Sequence, residues 1–123
     1  MKLSVDDSSS AYTIRGYGDA EVVINDETFR TSVVVTPRQL LRDWGPQRFE
    51  ELDQEHLADL MALEPEVILL GTGARTRFPH GRLLALAAER RIGLEVMDTP
   101  AACRTFNILA AEGRNVAAAL LML

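Results

Sequence analysis

Hydrophobic and polar residues follow a strand-like rhythm in the first third of the chain. Short apolar runs at Tyr12–Gly18, Glu21–Ile24 and Phe29–Val35 have the length and β-branched or aromatic content typical of strands. The glycines of the first run predict a bend or bulge. Asn25 and Asp26 predict a turn, because both residues tolerate left-handed backbone and bond their own main chain. The pattern therefore predicts an antiparallel meander.

From Thr36 onwards the apolar residues recur at helical spacing or in unbroken runs. Thr36 and Pro37 have the residue types of a helix start, which predicts a short helical turn through Leu40, Leu41 and Trp44. Further along, the same reasoning predicts helices at 53–63, 79–91 and 100–111, and strands at 67–70, 94–97 and 115–122. The alanines of the last segment leave a helix open there as the alternative.

Two strand–helix units with short connections imply parallel strands joined by right-handed crossovers. We therefore expect one α/β domain over residues 1–123, with a mixed central β-sheet, helices on its faces and the N-terminal antiparallel β-meander extending it or packing against it. The polar residues 1–11 are predicted to be a flexible arm. The carboxyl ends of parallel strands usually carry ligands. Gly71-Thr72-Gly73 and Asp98-Thr99 mark two such ends, and we expect them to lie side by side.

The charge distribution and the lengths of the apolar runs limit the classes of function. Residues 1–72 carry six basic and fourteen acidic side chains, whereas residues 73–123 carry seven arginines and four acids. The net charge of −5 argues against a general nucleic-acid binder. The arginines are either solvated helix positions or a local patch that faces an anion or a partner. No apolar run approaches the roughly 20 residues of a membrane span, and nothing at the start reads as a signal peptide, so we predict a cytoplasmic protein.

The Gly71-Thr72-Gly73 loop has two interpretations. Glycines allow backbone amides to approach a phosphate or carboxylate, and they also allow a tight turn at a sheet edge. The loop lacks the lysine and hydroxyl of a phosphate-binding P-loop and the third glycine of a dinucleotide site. Arg75, Arg77 and His80 follow it, either as a functional rim with charge and a proton near pH 7 or as solvated side chains.

The remaining polar candidates each have a structural interpretation. Asp98 and Thr99 are first of all helix-capping residues, and a second role facing the Gly-Thr-Gly loop is the alternative. Cys103 is interpreted as a small buried side chain, since no histidine close in sequence would activate it. Asn107 is predicted to bond backbone across the sheet end, and His56 to be exposed. The chain shows no metal-ligand spacing and no nucleophile elbow, so catalysis, a metal and a cofactor are not predicted.

Residues 67–121 carry a family resemblance, and the meander with Val34–Pro37 and Trp44 carries it more loosely. Its motifs are Ile68-Leu-Leu-Gly-Thr-Gly73, Phe78-Pro79, Gly93, Glu95-Val-Met-Asp-Thr99, Ala101-Ala102, Thr105-Phe-Asn107, Leu109, Glu112-Gly-Arg114 and Val116-Ala-Ala. They resemble the small-domain family that includes the mitochondrial NADH:ubiquinone oxidoreductase (complex I) assembly factor 3 and an adipogenesis-associated vertebrate relative. The chain resembles a bacterial member of this family. The resemblance implies a three-layer fold, a last strand antiparallel to the others, and a non-enzymatic role in assembling a respiratory complex.

Three hypotheses follow. The first is an interaction or assembly protein that binds a protein partner through the Gly-Thr-Gly edge and its arginines. The second is a small enzyme or sensor that binds an anionic metabolite at the same loop. The third is a homodimer in which Val116 to Leu123 forms an edge strand and pairs with its twin. The candidate binding residues are Gly71, Thr72, Gly73, Arg75, Arg77, Asp98, Thr99 and Asn107.

Overall fold

The structure is a computed structural model that describes residues 5–7 and 11–122. These residues form two β-sheets and three α-helices, with a short 3₁₀ helix at Phe49–Glu51. In chain order the elements are β1 (Val5–Asp7), β2 (Ile14–Gly18), β3 (Glu21–Ile24), β4 (Glu27–Phe29), β5 (Val33–Val35), β6 (Gln39–Leu41), α1 (Gln54–Met61), β7 (Val67–Thr72), α2 (Gly81–Glu89), β8 (Gly93–Met97), α3 (Thr99–Ala111) and β9 (Val116–Leu121).

The central sheet is mixed and six-stranded, in the order β1-β6-β5-β9-β7-β8. Strand β7 is parallel to both β8 and β9, whereas β5 pairs antiparallel with β9 and with β6. Strands β2, β3 and β4 form a separate antiparallel sheet, with a register shift after Ile14 at the predicted bulge. Part of the predicted arm, β1, pairs with β6. Residues 1–4 and 8–10 lie outside the described residues.

Side chains of the central sheet pack against a layer on each face. Along β7, Val67 and Leu69 pack with α3 and the small sheet, whereas Ile68 and Leu70 pack with α1 and α2. A strand that is covered on both faces has an unbroken run of apolar residues in its sequence, and β7 has such a run. The predicted α/β class with a mixed central sheet, helices on its faces and an antiparallel meander is confirmed.

Each helix begins at a side chain that accepts a backbone hydrogen bond. Asp98 Oδ1 accepts one from the amide of Ala101 at 2.8 Å, as the capping signal predicts. Asp53 and His56 form a reciprocal capping box at the start of α1. His56 is therefore half-buried, and its predicted exposure is wrong. His80 Nδ1 accepts from the Arg82 amide at 3.1 Å, so α2 begins at Gly81 and not at the predicted Pro79.

The segment between the two sheets differs from the prediction. The predicted strand Phe29–Val35 is two strands in different sheets, because the chain crosses from one layer to the next between β4 and β5. The predicted helical turn after Thr36 is wrong. Thr36 Oγ1 accepts from the Gln39 amide at 2.9 Å, but the Thr36 amide donates to the Gln39 carbonyl at 2.8 Å and closes a hairpin. Leu40 and Leu41 face opposite layers, and both layers are apolar, so two adjacent residues of β6 are both apolar.

Strand β9 lies inside the central sheet. It has β5 on one side and β7 on the other, and all six of its residues are buried. The family resemblance implied that the last strand, β9, runs antiparallel to the other strands. This is correct for its neighbour β5 and wrong for its neighbour β7. Since β9 is not an edge strand, the predicted route to self-association through it is also wrong. A homodimer formed elsewhere stays a prediction.

Candidate functional site

Hydrogen bonds join the Gly-Thr-Gly loop to the start of α3. The Gly73 amide donates to Thr99 Oγ1 at 2.8 Å, and the Thr99 amide donates to the Gly73 carbonyl at 2.9 Å. Thr99 Oγ1 in turn donates to the Leu121 carbonyl at 2.5 Å. The ends of three parallel strands thus meet at one buried hydroxyl, and the expected neighbourhood of the loop and Asp98-Thr99 is observed.

Both glycines of the loop have a packing or backbone role. A Cβ at Gly71 would lie 3.0 Å from Thr99 Cα and 3.2 Å from Ala102 Cβ, so the missing side chain lets α3 approach β7. Gly73 has φ +97°, in the left-handed region that favours glycine. The Gly73 amide is bonded to Thr99, so an anion would have to displace that hydroxyl to use it.

Thr72 holds the loop that follows. Its buried Oγ1 donates to the Arg75 carbonyl at 2.7 Å and accepts from the Arg77 amide at 3.0 Å. The same oxygen lies 3.2 Å from the carbonyl of Met97 at the end of β8. One hydroxyl therefore fixes the backbone from which both predicted arginines project, although Thr72 itself is only 2% exposed.

We call residues 73–80 the Arg–Phe loop. Phe78 is 72% exposed, and no other large apolar side chain among the described residues is as exposed. Arg75 is exposed and forms no ion pair within the described part of the chain. Beside the loop is an open cleft of about 220 Å³, lined by Arg48, Phe49, Glu50, Thr72, Arg75 and Arg77.

Arg77 is held by a second segment of the chain. Its guanidinium lies over the Phe49 ring, 4.4 Å from the centroid, and its Nη2 is 2.9 Å from Glu50 Oε2. The pKa of the Glu50 carboxyl is lowered, chiefly by a backbone hydrogen bond and next by the hydrogen bond from Arg77. Glu50 therefore offsets the charge of Arg77 most directly and that of Arg48 more weakly. Since three arginines and one carboxylate line the cleft, it keeps a positive balance that can attract an anion.

Asn107 lies in a different place. Its Oδ1 accepts from the Ile14 amide at 3.0 Å, and its Nδ2 donates to the Ile14 carbonyl at 2.7 Å. This pair of bonds attaches α3 to β2. Asn107 lines a separate open groove of about 200 Å³ together with Tyr17, Cys103 and Arg104. The structure thus brings the other predicted residues together at the end of β7 and separates Asn107 from them.

Three residues of this region, Phe49, Glu50 and Phe78, were not among the predicted binding residues. Phe78 had a usable signal, because it is a large apolar residue between Arg77 and Pro79 and outside any periodic segment. Phe49 and Glu50 had none, since they meet Arg77 only through the fold. Among the described residues there is no group of side chains that could hold a metal ion, and no helix is long and apolar enough to cross a membrane.

Cys103 gives a testable pH dependence. It is 1% exposed, and burial raises the pKa of its thiol from 9.0 to about 12. At pH 8 we expect iodoacetamide to modify the folded protein more than about tenfold more slowly than the urea-unfolded chain, because the thiolate is the nucleophile. Since the raised pKa favours the neutral thiol in the fold, stability should fall as the pH rises from 9 towards 12. Equal modification rates in the folded and unfolded states would contradict both expectations.

We call the place where the ends of β7, β8 and β9 meet at Thr99 the junction. The fold and this junction define a class: mixed α/β domains in which a parallel strand end, a glycine pair and a capped helix meet. The sequence pattern of the family described as "Protein of unknown function (DUF498/DUF598)" matches residues 14–121. The chain belongs to this family.

Relatives of the chain are known from sequence and from structure. It is 38% identical over 117 residues to the zebrafish (Danio rerio) NADH dehydrogenase [ubiquinone] 1 alpha subcomplex assembly factor 3, covering 94% of this chain and 67% of that protein. A Bordetella parapertussis crystal structure has a TM-score of 0.87 at 35% identity, covering 93% and 98% of the two chains. A Bartonella henselae structure described as an outer membrane protein has a TM-score of 0.77 at 32% identity, covering 91% and 95%.

Proposed function

We propose that this chain is a non-enzymatic interaction protein that takes part in assembling a larger complex, and that its partner binds at the Arg–Phe loop. The observation that carries the proposal is Phe78, which is 72% exposed beside the arginine-lined cleft. Exposed aromatic side chains with neighbouring arginines are the residue types that dominate binding energy at protein interfaces. The zebrafish relative's name supports a respiratory complex as the object of assembly.

The charges of the cleft favour an acidic partner surface. Arg48 and Arg75 have no ion-pair partner among the described residues, whereas Arg77 is compensated by Glu50. A carboxylate of the partner that reached the cleft would be met by two guanidiniums, which can bind it with two parallel hydrogen bonds. Phe78 would then be covered by an apolar part of the same surface. The proposal is thus an aromatic anchor with an adjoining site for a carboxylate.

The test is an affinity pull-down of the tagged protein from its own cells, with mass spectrometry. The wild type is compared with an Arg75→Glu, Phe78→Ser double variant and with Arg90→Glu as a control, since Arg90 is also an exposed arginine and lies at the far end of α2. We expect respiratory-complex subunits with the wild type and the control. The double variant should recover them more than about tenfold less, as for loss of an interface hot spot. Full recovery by a folded double variant would contradict the proposed surface.

A second candidate function rests on the same cleft. Its volume of about 220 Å³ and its three arginines, which outnumber the single carboxylate of Glu50, suit a small anionic metabolite that carries phosphate or carboxylate groups. Such a ligand at 100 times its Kd would stabilise the fold by about 2.7 kcal/mol. A panel of phosphates and carboxylates that leaves the Tm unchanged would reject the metabolite, and it would leave the protein partner as the occupant. We further propose a cytoplasmic location, although the Bartonella relative is described as an outer membrane protein.

A further inference from the structure

Strand β8 is an open edge of the central sheet. It pairs with β7 on one side, and no described residue pairs with its other side. Such an edge has backbone donors and acceptors ready for another strand. Proteins protect edges of this kind with short strands or charged side chains, and they also use them to bind extended peptides. The residues of β8 decide between protection and peptide binding.

The direction of each backbone group on β8 follows from two contacts. The Gly93 amide donates to the Glu66 carbonyl at 3.1 Å, and the Met97 carbonyl lies 3.2 Å from Thr72 Oγ1, so both residues turn their polar backbone groups towards β7. Amide and carbonyl directions alternate along a strand. The groups of Leu94 and Val96 therefore point outward, and no described residue forms a hydrogen bond with them.

The two faces of β8 differ in chemistry. Leu94 and Val96 are half-buried and pack with the cluster of α1 and α2. Glu95 lies on the opposite face, is exposed, and forms no ion pair with any residue the structure describes. If β8 paired antiparallel with a second copy in full overlap, Glu95 would lie opposite its own twin, and like charges directly opposite each other are destabilising. Glu95 thus disfavours a second copy in this register and favours a cation opposite itself.

We propose that β8 binds an extended segment of a partner protein as an added strand. The segment has a lysine or arginine opposite Glu95, with apolar residues on either side that continue the surface of Leu94 and Val96. Backbone hydrogen bonds to Leu94 and Val96 would hold the segment, and the charge of Glu95 would select it against acidic or identical strands. This inference rests on the sheet edge alone and is independent of the Arg–Phe loop.

Amide hydrogen exchange measured by NMR tests the proposal with two five-residue probes, both with acetylated and amidated ends: Thr-Val-Lys-Val-Thr and Thr-Val-Glu-Val-Thr. In the free protein the amides of Leu94 and Val96 should exchange quickly, and those of Glu95 and Met97 slowly. The lysine peptide should slow exchange at Leu94 and Val96 and bind roughly fivefold or more tightly than the glutamate peptide, because it pairs opposite charges.

Two variants sharpen the test. Val96→Pro removes an outward amide, which an edge strand tolerates, and should abolish binding of the lysine peptide. Glu95→Lys changes an exposed side chain and should reverse the preference between the peptides. If Val96→Pro does not fold, the wild type and Glu95→Lys still decide the matter. The proposal is overturned if neither peptide slows exchange at saturating concentration or if both bind equally. It is also overturned if Leu94 and Val96 are already protected in the free protein.

Discussion

Replacing Gly71 with alanine should destabilise the protein by about 1–3 kcal/mol, near the upper end of that range. The new Cβ would lie 3.0 Å from both Cα and Oγ1 of Thr99, and 3.2 Å from Ala102 Cβ. A backbone atom cannot rotate away as the end of a flexible side chain can. To relieve the contact, α3 must move away from β7, and this movement stretches the hydrogen bonds between Gly73 and Thr99. Urea unfolding followed by circular dichroism measures the effect.

The matched control for this substitution is Gly16→Ala. A Cβ at Gly16 meets nothing within 4 Å, and Gly16 is not among the glycines with positive φ. Its cost should therefore stay within about 0.5 kcal/mol, as for an ordinary surface change. Equal urea midpoints for the two variants would show that α3 and β7 do not need a glycine at their contact.

The elements that could be predicted from sequence are those with local signals. Strand β7 follows from an unbroken apolar run, and α3 follows from Asp98 and Pro100 at its start. Strand β6 could not be predicted, because Leu40 and Leu41 become a strand only through layers on both faces, supplied by distant parts of the chain. The split between β4 and β5 has the same cause, since a change of sheet leaves no periodic signal.

The candidate site divides in the same way. The general rule for strand ends predicted that the Gly-Thr-Gly loop and Thr99 would be neighbours, and they are bonded to each other. The rule could not show that Asn107, two turns further along α3, reaches instead to the backbone of Ile14. Nor could it place Phe49 and Glu50 beside Arg77, because that contact joins segments far apart in the chain. Local sequence signals therefore predicted where the site lies. Which residues belong to it depends on contacts between segments far apart in the chain.

Thr99→Val should cost about 2–4 kcal/mol, because it leaves two buried backbone groups without partners. Valine has nearly the shape of threonine but no hydroxyl, so the Gly73 amide loses its acceptor at 2.8 Å and the Leu121 carbonyl loses its donor at 2.5 Å. Thr99 is only 6% exposed, and water can replace these bonds only if the junction opens. Urea unfolding should show a lower midpoint with an unchanged slope, since the fold itself is retained.

Thr99→Ser is the control that separates the hydroxyl from the methyl group. Serine keeps both hydrogen bonds and loses one buried methyl, so its cost should be about 1 kcal/mol and smaller than that of valine. The opposite order would mean that packing, and not the hydroxyl, joins the three strand ends. Hydrogen exchange adds a local measurement: the Gly73 amide should exchange slowly in the wild type and in Thr99→Ser, and quickly in Thr99→Val. A slow Gly73 amide in the valine variant would show that this amide has a partner other than Thr99.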